Sequence, residues 1–263
     1  MNEENTFEYK EGRKLANQKD VAYILPSDQL EVDRLELNHS LWNLYKSPIH
    51  DKLMKGIRVL DIGCGPGWWT LEMARLYPKS KFVGIDMANV FITKNMPSNV
   101  TFKIANAGTR LEFEDQSFDF VFQRFLVMGL TTEQYLGSIH EMKRVLKEGG
   151  SIEILELISD YQNRGPFLDK ICSWTNKIPN YLLNTGYNHI QIFNYNVPIG
   201  SWGGELGKLH FDIQKLALLA VGVMVTHLTL IKYEEYVHNL EEAFKEFEEY
   251  RVYTLYKLIY ATK

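Results

Sequence analysis

Residues 57 to 67 read Ile57-Arg58-Val59-Leu60-Asp61-Ile62-Gly63-Cys64-Gly65-Pro66-Gly67. The apolar run from Ile57 to Ile62 has the length and composition of a buried parallel strand. Gly63, Gly65 and Gly67 then make a turn without Cβ atoms, where a ligand can lie against the backbone. A strand, a glycine turn and a following helix together form the ligand crevice of an open α/β sheet. Two common nucleotide loops fail here. The dinucleotide fingerprint needs a small residue at its sixth position for close helix–strand packing, and this chain has Trp68. No Gly-Lys-Ser/Thr follows, which removes the phosphate-binding P-loop.

The pattern Asp61-x-Gly63-x-Gly65-x-Gly67 instead resembles motif I of the class I S-adenosylmethionine (SAM) methyltransferases. SAM carries no phosphate, so the turn need only pass under its methionine and ribose. A second β-type run, Lys81 to Ile85, ends in Asp86. A carboxylate about 20 residues past a glycine turn is placed to accept from ribose hydroxyls; capping the next helix is the other reading. The third segment, Val100 to Ala105, is followed by Asn106. Many members of the family carry an acidic residue there against the adenine amino group, and an Asn carbonyl oxygen can accept the same bond. Phe113 to Phe122 resembles the family's lead into strand four. Glu141 to Gly150, then Ser151 to Leu157, resemble its helix, glycine C-cap and fifth strand.

The resemblance is tight over 57–157 and looser elsewhere. It implies an α/β, Rossmann-like fold with a seven-stranded, mostly parallel sheet of order 3-2-1-4-5-7-6. Strand seven is antiparallel, and an N-terminal helical cap is attached. It also implies SAM as cofactor, S-adenosylhomocysteine as product, and Asp61, Gly63, Cys64, Gly65, Gly67, Asp86, Met87, Asn106 and Ala107 as cofactor contacts.

Outside this core, residues 1 to about 20 are polar and expected to fray. Pro26 sets an extended approach to a helix reaching about Lys46. Ser27 or Asp28 is its N-cap, Glu31 stands in capping-box position, and Leu30, Leu37, Leu41 and Leu44 form one stripe. The string Leu25-Pro26-x-Asp28-x-x-Glu31-x-x-Arg34-Leu35-x-x-x-His39 resembles the helix that covers the SAM pocket in a fungal, LaeA-like subgroup. There Tyr23, Arg34 and His39 are the matching positions, and Tyr23 is implied as a cofactor contact. His39 is a catalytic candidate or a partly buried histidine beside Leu35 and Trp42. Gln123-Arg124-Phe125-Leu126 again follows that subgroup. It implies Gln123 against the cofactor and Arg124 as the second catalytic candidate, with a polar helix start as the alternative.

Pro198 to Gly204 resembles the subgroup too. Ile190 to Val197 reads as strand six, Glu234 to Glu249 as an amphipathic helix with Val237, Leu240, Phe244 and Phe247 inward, and Tyr253 to Thr262 as strand seven. The expected division is a tail and helical cap over 1–55, a SAM-binding core over 56–160, and a substrate-side insertion with the last strands over 161–263.

At 263 residues, 45% hydrophobic and 24% charged, the composition is that of a soluble globular protein. No basic and apolar leader opens it, and its longest apolar run, Leu216 to Val225, is about half a membrane span. Cys64 and Cys172 make no disulfide framework, which favours a cytoplasmic setting, or a nuclear one for a regulator. No metal-ligand spacing is present. The net charge of −4 argues against a nucleic-acid partner. Oligomeric state has no sequence signal, and a homo-oligomer stays open. Three readings follow: a methyltransferase for a small-molecule acceptor, a LaeA-type regulatory methyltransferase working on or through proteins, and a non-catalytic SAM-binding protein. Trp69, Trp174 and Trp202 fit an aromatic acceptor or a core. Besides His39 and Arg124, Glu156 is the polar residue to test.

Overall fold

The computed structural model describes residues 7–16, 25–42, 48–158, 177–229 and 232–263. Tyr23, Leu44, Cys172 and Trp174 lie outside them. The chain forms two compact units, one of residues 45–195 with 255–263 and one of residues 1–44 with 196–254.

The first unit holds the sheet. After β1 (Phe7–Lys10), β2 (Arg13–Ala16) and α1 (Gln29–Leu41) of the other unit come α2 (His50–Lys55), β3 (Arg58–Ile62), α3 (Trp68–Leu76), β4 (Lys81–Asp86), β5 (Val100–Ile104), β6 (Phe118–Arg124), α4 (Thr132–Val145), β7 (Leu146–Ile158), α5 (Ile178–Thr185) and β8 (Asn188–Pro198). β9 (Tyr253–Thr262) closes the chain. The sheet order is β5-β4-β3-β6-β7-β9-β8. β3 to β7 pair in parallel, and β9 runs antiparallel to β7. This is the expected order, with β9 as strand seven. The order reverses between β3 and β6, so the crevice of such a sheet falls at the carboxyl ends of those two strands.

Successive strand residues point to opposite faces, and both faces are filled. Leu60, Ile62, Val121, Ile152 and Ile154 pack with Tyr135, Ile139 and Met142 of α4. Val59, Phe120 and Phe122 pack with Leu71 and Ala74 of α3. Double-sided burial is why these strands read as continuous apolar runs.

One expectation changes here. Gly149 and Gly150 do not cap a helix: α4 ends at Val145, and Leu146 is already extended with φ −80 and ψ 133. β7 starts there, and its register on β6 shifts between the pairs Phe118–Leu146 and Phe120–Ser151. Lys147 to Gly150 are thus a bulge, with Gly149 at φ +72. Extra residues on one strand of a pair are accommodated in this way, and glycine fits the left-handed position.

The second unit is mainly helical, with α6 (Gly204–Thr229) and α7 (Tyr233–Glu249) added to α1. Residues 7–16 of the N-terminal segment, the part described, are ordered rather than frayed: β1 and β2 pair antiparallel around Glu11 and Gly12, which have φ of 48 and 74. Two positive φ values make the primed turn that suits a hairpin. Arg13 grips Asp28 through two bonds of 2.6 and 2.9 Å, and Asp28 caps α1 by accepting from Glu31 N at 3.1 Å.

The leucine stripe expected on that helix is also corrected. Leu30 is 53% exposed, while Glu31, Arg34, Asn38, His39 and Leu41 are buried. Glu31 does not reach back to the cap; it holds Arg34 Nε and Nη2 at 2.9 and 2.7 Å. A buried fork-to-carboxylate pair replaces the apolar stripe.

In α7, Phe244 is buried and stacks edge-on with Phe211 of α6 at 5.5 Å. Among the described residues, no helix is long and apolar enough to cross a membrane.

Candidate functional site

At the carboxyl end of β3 the backbone turns sharply. Gly63 and Cys64 both donate to Ile85 O, at 2.9 and 3.0 Å, which ties the turn to β4. Gly67 donates to Cys64 O at 3.0 Å and opens α3. Gly63, Gly65 and Gly67 have φ of 69, 56 and 91, a region that residues with a Cβ avoid.

Contacts demand glycine as well. A Cβ on Gly67 would stand 2.3 Å from Phe102 Cζ, and one on Gly63 would stand 2.9 Å from Leu126 Cδ1. Phe102, on β5, also presses on Gly84 of β4 and stacks on Phe91 at 4.9 Å. The turn is wedged from one side by Phe102 and from the other by Leu126. Neither ring nor methyl carries a sequence signal, because each acts by position alone.

Asp86 ends β4 below this turn. Its carboxylate accepts from Gly65 N at 2.8 Å and Ala88 N at 2.9 Å. Burial raises its pKa, against the pull of the Ala88, Gly65 and Met87 N–H groups. An ionised carboxylate has about four acceptor positions, so about one remains open after those three amides. Asp61 is buried and accepts from Thr70 Oγ1 at 2.5 Å. Burial pushes it up to about 6, with the Thr70 hydroxyl and the Arg124 charge opposing. Cys64 is half-buried, and burial raises its thiol, with the charges of Asp61 and Asp86 adding to the effect. Asn106 lies beyond β5; its side-chain oxygen accepts from Gly108 N at 2.8 Å. Ala107 is buried beside it.

Gln123 and Arg124 are neighbours on β6 and therefore face opposite sides of the sheet. Gln123 is fully buried, on the α4 side, beside Glu156 and Tyr135. Arg124 is half-buried on the α3 side, where burial lowers its pKa while the charges of Asp61 and Glu72 raise it. His39 is a buried residue of α1 in the helical unit.

Glu156 of β7 is fully buried. It accepts from Leu126 N, Val127 N and Tyr135 Oη at 3.1, 3.4 and 3.1 Å. Burial pushes it up to about 7.

The Pro198–Gly204 segment is built locally. Glu248 accepts from the Ser201 and Trp202 N–H groups and from Ser201 Oγ. Trp202 Nε1 donates to Ile199 O at 2.8 Å. Among the described residues, no three His, Cys, Asp or Glu side chains gather as a metal set. A surface depression of about 630 Å³ lies at the opposite, amino-terminal edge of the strands, lined by Lys81, Asn99 and Thr101 among others. It contains none of the groups described above.

The fold is one shared with solved SAM-dependent methyltransferases, and the turn has the form of their motif I. Residues 59–150 match the methyltransferase-domain family. The chain is also similar to fungal proteins of the LaeA type. It is 32% identical over 154 residues to a secondary metabolism regulator, LaeA, of Coprinopsis cinerea, covering 55% of this chain and 38% of that protein. It is 25% identical over 231 residues to the methyltransferase PytC of Aspergillus terreus, covering 74% of this chain and 67% of the other. Phosphoethanolamine N-methyltransferase 2 of Haemonchus contortus, solved with SAM, shares the fold at TM-score 0.55 and 19% identity, covering 87% of this chain and 56% of that one. The chain thus spans well under half the length of the Coprinopsis regulator.

Proposed function

We propose that this protein transfers a methyl group from SAM to a small-molecule acceptor. The observation that carries the reading is the glycine turn at the sheet's reversal point, with the Asp86 carboxylate bonded to its Gly65 amide. When bound, SAM supplies an electrophilic methyl group on a sulfonium for in-line displacement by the acceptor.

The residues present fit such a ligand. Gly63, Cys64 and Gly65 offer bare, half-buried backbone without a concentrated positive charge, as a cofactor without phosphates requires. The remaining acceptor position of Asp86 suits a ribose hydroxyl, with Met87 beside it. The second lone pair of the Asn106 oxygen suits the adenine amino group, with Ala107 against the ring. Asp61 fixes the base of the turn through Thr70. Tyr23, outside the described residues, and Gln123 are the remaining cofactor contacts on this reading.

Orientation of the acceptor is the main catalytic task, and a base is required only when the nucleophile must lose a proton. Arg124 and His39 are the candidates for holding or deprotonating the acceptor. Residues 1–55 and 161–263, outside the SAM-binding core of 56–160, choose the acceptor. The protein works in the cytosol on this reading.

A LaeA-type role, methylating or acting through proteins, is the second reading, favoured by the 32% identity to the Coprinopsis regulator. Incubating the protein with methyl-labelled SAM and a fungal extract, followed by mass spectrometry, separates the two. Label in the small-molecule fraction supports the first reading and label on protein supports the second. No transfer beyond a protein-free control contradicts both.

A further inference from the structure

Glu156 is a carboxylate in the middle of an apolar layer, and the cofactor contacts above do not use it. It is fully buried among Ile154, Tyr135 and their neighbours. The groups around it are Tyr135, whose hydroxyl it accepts, and Gln123, whose amide sits beside it. Neither polar atom of that amide completes a well-directed hydrogen bond. An acid placed so deep costs stability unless its bonds achieve something.

Its bonds converge on one loop. Leu126 N and Val127 N both point to its two oxygens. This loop leaves β6 through Phe125, a non-glycine residue at φ 55, a conformation that persists where its surroundings impose it. Phe125 N is held by Leu155 O at 2.9 Å, and its ring meets Tyr256 edge-on at 5.9 Å. The product of these restraints is the placement of Leu126. Its Cδ1 lies where a Cβ on Gly63 would have to go, with only 2.9 Å between them.

We propose that Glu156 is a positioning residue for the cofactor turn: by clamping the Leu126 and Val127 amides it seats Leu126 against Gly63 and so holds the turn in its binding shape. This rests on the methyltransferase reading for its consequence and on the hydrogen bonds alone for its mechanics. Glu156 never touches the cofactor. It acts through two backbone amides and one side chain.

Two readouts on the full-length protein test it. The first needs no ligand: hydrogen–deuterium exchange of the peptide spanning 61–67, whose Gly63 and Cys64 amides are protected by Ile85 O. In Glu156→Leu and in Leu126→Ala, that peptide exchanges faster than in the wild type. Glu156→Gln, which keeps an oxygen for a loop amide, restores most of the protection. The second is the dissociation constant of S-adenosylhomocysteine, weakened about tenfold in Leu126→Ala and Glu156→Leu and within about threefold of wild type in Glu156→Gln, magnitudes typical of coupling between linked sites.

Leu126→Ala alters a half-buried loop side chain, so it serves if Glu156→Leu does not fold. Unchanged exchange at 61–67 in a folded Leu126→Ala protein overturns the proposal. So does equal loss in Glu156→Gln and Glu156→Leu. Failure of the wild type to bind S-adenosylhomocysteine, with the exchange pattern as described, counts against the methyltransferase reading and leaves the clamp standing.

Discussion

The sheet unit and the helical unit solve burial in different ways. In the sheet unit, apolar strands are covered on both faces by apolar helix positions, and several buried polar groups (Asp61, Thr70, Gln123, Glu156) gather toward the carboxyl ends of the strands. In the helical unit, the buried side of α1 is itself polar, with Glu31, Arg34, Asn38 and His39 inside. Where apolar cores carry the fold, polar residues are left over for a site. Where a salt bridge is part of the core, polarity no longer marks function, and the burial of His39 is consistent with either role. The contrast can be broken at specific residues.

The largest effect is expected at the turn. Gly67→Ala places a Cβ 2.3 Å from the Phe102 ring at φ 91. Overpacking plus left-handed strain should cost about 4 kcal/mol in chemical denaturation.

In the helical unit, Arg34→Met leaves Glu31 buried without the partner that holds it at 2.7 and 2.9 Å. A loss of about 3 kcal/mol follows. The double change with Glu31→Met regains most of it, because the cost lies in the stranded charge. A thermal melt of the three variants checks the cycle.

Next comes Glu156, whose folded carboxyl titrates near 7 rather than at the ordinary value. The fold binds its proton more tightly than the unfolded chain, so each step up in pH between those values removes stability. Glu156→Gln lacks that dependence. Relative to wild type, the variant should therefore gain about 2 kcal/mol between pH 5 and pH 8. Parallel melting curves at those two pH values would show it, and a constant difference would refute the titration.

The smallest effect belongs to Glu248→Ala, which releases the Ser201 and Trp202 amides. A modest fall in Tm is expected, with the Trp202 fluorescence shifting as its segment loosens.

The contrast also explains what the sequence could and could not show. The glycine turn is legible because it is local: a β run, a turn without Cβ atoms and an acid at a fixed distance lie close along the chain, whereas the strand order is implied only by the family resemblance. The leucine stripe on α1 failed because periodicity ranks residues by hydropathy, whereas Glu31 and Arg34 satisfy one another inside. The Phe7–Ala16 hairpin was missed because Glu11-Gly12 is not one of the preferred turn pairs. Gly149-Gly150 suits a cap and a bulge equally in sequence, because both ask for the same residue. Phe102 and Leu126 were invisible as guardians of the turn because their partners are 35 and 63 positions away along the chain, by subtraction of 67 from 102 and 63 from 126. Gln123 and Arg124 are adjacent in sequence, while the pleat sends them to opposite faces.

The account stands on the turn between β3 and α3 with Asp86 as a SAM site. Calorimetric titration of the wild type and of Asp86→Ala with S-adenosylhomocysteine tests this most directly. Micromolar binding by the wild type that Asp86→Ala abolishes or strongly weakens is the predicted result. A folded wild type that releases no heat and shows no thermal shift with saturating S-adenosylhomocysteine would contradict it.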